Sequence, residues 1–130
     1  MAFDWREFLI VAHTLRNGPG EGVQRTCLGR TYYYVYHLGL TKARAMNFNG
    51  QLPGLHRKLW DWCQNQADPT IKTLGIDGPR MYSLRISADY EDAPIPNLAG
   101  EVKKQISRAQ ELGGLVAQSN GQTPPAALAP

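Results

Sequence analysis

Five stretches of the chain repeat their apolar residues at three- and four-residue spacing, and breaker-rich segments separate them. That period matches the turn of an α-helix, so each stretch must bury one stripe against a partner. The first, over residues 4–16, carries Trp5, Phe8, Leu9, Ala12 and Leu15, and Asn17-Gly18-Pro19-Gly20 stops it. The second spans 22–45, with Val23, Cys27, Arg30, Tyr34, His37 and Thr41 in line and Leu28, Val35 and Leu38 beside them. Residues 47–53 read as a loop, which puts Pro53 near the first turn of a third helix. That helix bears Leu55, Leu59, Trp62 and Cys63 and ends near residue 67. The stretch 70–79 is punctuated by Gly and Pro and reads as a loop with a short turn. A fourth helix starts near Pro79, carries Met81, Leu84, Arg85 and Ala88, and stops before Pro94, since a residue ahead of proline leaves helical geometry. Asn97 is suited to cap a fifth helix that runs to about Val116, with Leu98, Val102, Ile106, Ala109 and Leu112 as its stripe.

No segment alternates with period two over a strand's length, although 32–36 is β-prone by composition. The expected fold is therefore all-α: an up-and-down bundle of four or five helices over 1–117, then a disordered Pro- and Ala-rich tail over 118–130. A length of 130 residues suits one domain, and 42% hydrophobic content is enough for a core, with dimerisation a common supplement at this size. The net charge of +3 permits an anionic partner without requiring one, because 14 basic and 11 acidic residues are interspersed. Cys27 and Cys63 are too far apart and too few for a disulfide framework or a zinc site, and read as buried, reduced thiols. Charges near the N-terminus do not suit a signal peptide, and no apolar run is long enough to span a membrane, so a cytoplasmic protein is expected.

One helix line is chemically unusual. A plain core stripe would not align an arginine and a histidine with its apolar residues. Arg30 and His37 lie seven positions apart, which brings them within about 20° around the axis and about 10.5 Å along it. Tyr34 falls between them. A fixed cation, a titratable imidazole and a phenol on one ridge suit phosphodiester chemistry: the imidazole moves a proton and the guanidinium stabilises charge on the phosphate. No metal is required for such a reaction. His13 and His56 read as packed or surface histidines, and Gly18 to Gly22 as a turn, since it lacks the lysine and strand of a phosphate loop. Of Trp60 and Trp62, one is expected in the core and the other at an interface.

Gly29-Arg30-Thr31-Tyr32-Tyr33-Tyr34-Val35-Tyr36-His37 resembles the second-helix signature of the HEPN family, and Leu84-Arg85-Ile86-Ser87-Ala88-Asp89-Tyr90 resembles its fourth-helix pattern. The opening Asp4-Trp5-Arg6-Glu7-Phe8-Leu9 and Gly54-Leu55-His56-Arg57 fit the same plan. The resemblance implies a helical bundle that dimerises, with an Arg-to-His motif lining a cleft between protomers. It implies Arg30 and His37 as a catalytic pair, Tyr33, Tyr34 and Arg85 as substrate-binding residues, and Asp89 and Tyr90 as supporting ones, with no cofactor and no metal. The six-residue gap is at the long end of the family range, and Thr31 follows Arg30 where active members often carry a stronger polar residue. Leu38-Gly39 follows His37, so the tyrosine that receives a nucleotide in silenced members has no counterpart. Three functions stay open: a metal-independent endoribonuclease of toxin type, a non-catalytic module that binds RNA or nucleotide or partners a nucleotidyltransferase-like protein, and a dimerising scaffold. An antitoxin is the partner implied by the first.

Overall fold

The computed structural model describes residues 2–129. Its helices are α1 (Arg6–Leu15), α2 (Glu21–Ala45), α3 (Leu55–Gln64), α4 (Pro69–Tyr90) and α5 (Leu98–Ser119). Among the described residues there is no strand, and 32–36 lies inside α2. The expected all-α bundle is what forms. No helix among the described residues is long and apolar enough to cross a membrane.

α2 is the axis of the bundle. It packs against α1, α4 and α5, and more lightly against α3. Its buried residues, among them Cys27, Leu28, Thr31, Tyr32, Val35 and Ala43, are spread round its circumference, as a central helix requires. The line from Val23 to Thr41 is therefore not a core stripe. Cys27 and Tyr34 are buried, while Arg30 and Thr41 are exposed and Val23 and His37 half-buried. With neighbours on its other sides, the charged part of that line is what α2 leaves uncovered. α5 buries Val102, Ile106, Ala109, Leu112 and Val116 as its spacing predicts.

α4 corrects the reading of 70–79 as a loop. The helix starts at Pro69, where the Asp68 carboxylate accepts the Ile71 amide at 3.1 Å and proline occupies the first turn. It then runs through Gly75, Gly78 and Pro79 without ending. Pro79 has no N–H to offer the Gly75 carbonyl, a loss that normally breaks a helix. That carbonyl instead accepts the Gln64 side-chain amide from α3 at 2.8 Å. The glycines serve close approach: the Trp60 indole, 2% exposed, fills the space above Gly78 and lies where a Cβ at Gly39 would meet it at 2.9 Å. Tertiary partners here override local propensity.

Other expectations divide. Asn97 precedes α5, but it sits at φ 50° and its side chain caps nothing. Trp60 is the core tryptophan, and Trp62 packs against Phe48 with ring centres 5.5 Å apart rather than at an open surface. Cys27 and Cys63 are buried and unpaired, and burial pushes the Cys63 thiol up to about 12. The tail, expected to be disordered, has no helix or strand over 122–129 but lies along α1 and α5. The Leu128 amide donates to Gln110 Oε1 at 2.8 Å, Arg6 donates to the Ala126 carbonyl at 2.6 Å, and His13 contacts the Ala129 carbonyl.

The close approach at Trp60 is testable. Gly78→Ala forces a methyl into the indole and lowers unfolding free energy by about 1–3 kcal/mol in urea titrations. Gly22→Ala, where a Cβ meets nothing within 4 Å, raises it by about 0.4–1 kcal/mol. Equal effects at the two sites would refute the packing account.

Candidate functional site

The uncovered line of α2 carries Thr26, Arg30, Tyr33, His37 and Thr41. α1 forms one wall beside it. The Arg30 guanidinium lies 4.6 Å above the Phe8 ring, and the His37 imidazole stacks on Trp5 at 3.5 Å and 4°. Phe8 and Trp5 themselves meet edge-on at 5.2 Å, so one aromatic unit braces both Arg30 and His37. Trp5 and Phe8 occur three residues apart on the α1 stripe, and that spacing is the sequence signal for the wall.

α4 supplies the opposite wall. Arg85 donates to the Tyr33 hydroxyl at 2.8 Å, with its guanidinium carbon 5.0 Å from that ring. Arg85 Nε lies 2.9 Å from Asp89 Oδ2, close enough for an ion pair but off the N–H direction, so the contact is electrostatic rather than a hydrogen bond. The guanidinium also stands 5.4 Å from the exposed Tyr90 ring. Thr26, Gly29, Arg30, Tyr33, Arg85 and Asp89 line a cleft of about 290 Å³. Asp89 neutralises Arg85 there. No carboxylate pairs with Arg30 among the described residues, so the cleft keeps one uncompensated positive charge.

The tyrosine run splits by direction. Tyr33 faces the cleft, while Tyr34 turns inward, 5% exposed, with its hydroxyl against Gly113 of α5. Tyr34 thus lies away from the Arg30 cleft; with Arg6, His37, Lys42 and Asn120 it borders a second cavity of about 400 Å³ between α1, α2 and α5. Tyr32 and Tyr36 turn towards α3. There they meet His56, which stacks on Tyr36 with centres 4.0 Å apart and holds the Tyr32 hydroxyl at Nδ1, 2.6 Å away. The structure therefore brings Arg30, Tyr33, Arg85 and Asp89 together, sets His37 nearly two turns beyond Arg30 at the border of the second cavity, and leaves Tyr90 at the margin. His56, read from sequence as packed or surface, joins the site from α3. Its only local signal is its place in the first turn of α3 beside Leu55.

Burial holds the His37 imidazole below its usual proton affinity, and the neighbouring His56 adds to the effect. His56 is lowered by burial first and by Arg85 second. Both rings are accordingly biased towards the neutral form in the free protein. Among the described residues, no group of three His, Cys, Asp or Glu side chains is placed to hold a metal ion. Comparison of the chain with family models, curated proteins and solved structures finds no significant match.

The two lowered imidazoles give a stability signature. The unfolded chain binds protons, with imidazoles near 6.5, that the folded chain refuses. Their contribution is complete above 6.5 and is lost as pH falls through the lowered values. Melting temperature should drop between about pH 7.5 and about pH 5, and the double variant His37→Gln/His56→Gln should show a flatter profile. An unchanged slope in that variant would refute the assignment.

Proposed function

We propose that this chain is a HEPN-type protein that acts as a metal-independent endoribonuclease of toxin type, with Arg30 and His37 as its catalytic pair. The observation that carries the reading is the shared open face of α2, where an unpaired guanidinium and a neutral imidazole are both braced by α1 aromatics. The signatures in α2 and α4 support the same assignment.

In this reading an RNA phosphate meets Arg30, whose planar fork matches two non-bridging oxygens and stabilises the charge that builds on them. His37 removes the proton from the ribose 2′-hydroxyl. The 2′-oxygen then bonds to phosphorus as the 5′-oxygen departs, which leaves a 2′,3′-cyclic phosphate. Tyr33, held by Arg85, offers its hydroxyl at the cleft edge, and Asp89 keeps Arg85 in place. Tyr90 flanks the cleft. A homodimer presents two such faces, and an antitoxin that covers the α2 face would silence them.

A second reading, a nucleotide- or RNA-binding module that does not turn over or that partners a nucleotidyltransferase-like protein, has one observation in its favour. Trp5 covers a face of the His37 ring, which holds the imidazole as part of a stacked wall. Incubation with defined RNAs in EDTA separates the two. Cleavage with cyclic-phosphate ends, reduced at least ~100-fold by Arg30→Ala or His37→Ala, is the expected result. Binding without cleavage by the folded wild type would transfer the assignment to the second reading. The acidic limb of the kcat/KM profile should inflect below 6.5, because His37 must be unprotonated to act as base; an inflection of that limb above 6.5 would remove His37 from the role.

A further inference from the structure

We propose that His56 is the second catalytic residue of this face, the general acid that protonates the departing 5′-oxygen. The assignment rests on the ribonuclease reading above. Cleavage by 2′-hydroxyl attack moves two protons: one leaves the nucleophile and one must reach the leaving oxygen. His37 accounts for the first and leaves the second without a donor.

The geometry supplies one. Tyr36 connects the two histidines: its ring centre is 5.0 Å from that of His37 and 4.0 Å from that of His56. The separation of the imidazoles cannot exceed the sum of those distances, which is the scale of a bound phosphodiester with its two bridging oxygens. His56 also stands 6.2 Å from the Tyr33 ring, the residue that Arg85 holds at the cleft edge. Both histidines thus border the Tyr33–Tyr36 surface of α2, one from the α1 side and one from α3.

The hydrogen bonds around His56 also set which atom carries its proton. Trp60 Nε1 can only donate, and it donates to the Tyr32 hydroxyl oxygen at 3.1 Å. That bond takes one lone pair of the Tyr32 oxygen, so its hydrogen can reach His56 Nδ1 when the ring is neutral, and its second lone pair can accept Nδ1–H when the ring is charged. A neutral His56 that accepts at Nδ1 carries its hydrogen on Nε2, and the imidazolium carries one there as well. Nε2 has no hydrogen-bond partner among the described residues, so this nitrogen presents an N–H in either state. It suits a donor and not a base. His37 has no such anchor among the described residues and remains free to accept.

The proton balance closes. His37 takes the 2′-hydroxyl proton, the O2′–P bond forms, the P–O5′ bond breaks, and the His56 imidazolium gives its Nε2 proton to O5′. His56 becomes neutral and His37 cationic, and exchange with solvent restores the starting pair. The groups that face His56 are Tyr32, Tyr33, Tyr36 and His37 from α2, and Tyr82 and Arg85 from α4. None of them is a carboxylate that would hold the proton back. The bound phosphate is the anion that favours one proton on the histidine pair.

A leaving-group substitution tests the role directly. The wild type, His37→Ala and His56→Ala are assayed on an RNA whose cut linkage has its ordinary 5′-oxygen and on the same RNA with sulfur in that bridging position. A thiolate departs without protonation. His56→Ala should lose at least ~100-fold on the oxygen linkage and return to within about 10-fold of wild type on sulfur, whereas His37→Ala should fail on both. Unimpaired oxygen cleavage by His56→Ala, or equal impairment on both linkages, overturns the assignment. His56→Gln, which keeps an acceptor for Tyr32, should match His56→Ala on both linkages; wild-type rates in His56→Gln would also overturn it. A wild type that cuts neither linkage overturns the ribonuclease reading itself.

Discussion

Trp60 ties the fold to the site. Its indole occupies the space that Gly39 on α2 and Gly78 on α4 leave empty, and through it α3 is locked against both longer helices. Its one polar atom cannot be buried without a partner at acceptable cost, and it finds the Tyr32 hydroxyl. That bond takes one lone pair of the Tyr32 oxygen and leaves its hydrogen available to a neutral His56. A packing decision in the core therefore propagates, through two hydrogen bonds, to the protonation pattern of an imidazole at the surface.

Electrostatics along the groove follow from which cations are already committed. Arg85 is engaged by Asp89 and Tyr33, and Arg25 binds carbonyls at the end of α4. Arg30 lies over a phenyl ring, which holds its position while leaving its N–H groups unspent. The contrast matters for an anionic ligand, because a guanidinium paired with a carboxylate has little field left to offer. Of the cations along the groove, Arg30 offers the most.

Much of this was legible along the chain, and the reasons for the rest are physical. α2 and α5 were readable because their periodic runs end in glycine or proline punctuation. α4 was not, because Gly75, Gly78 and Pro79 all argue locally against a helix. The partners that rescue them, Gln64 and Trp60, belong to another helix, and no window of sequence displays that pairing. The site divides in the same way. Seven-residue spacing put Arg30 and His37 on one face, but spacing alone could not say that α5 would cover the side where Tyr34 lies. His56 was obscured because its meaning comes from Tyr32 and Tyr36, 24 and 20 residues upstream.

Pro79 has a consequence for cooperativity. Its missing N–H removes one backbone hydrogen bond between the first run of α4 and the second, and the carbonyl it leaves is held by Gln64 from α3. Opening the first run must therefore release α3 as well, while the second run, which bears Arg85 and Asp89, is anchored to α2 through Tyr33. One helix by shape is thus fastened to two neighbours, its first run to α3 and its second to the central helix. The acidic and basic groups that α4 brings to the groove, Asp89 and Arg85, sit on the run fastened to the axis.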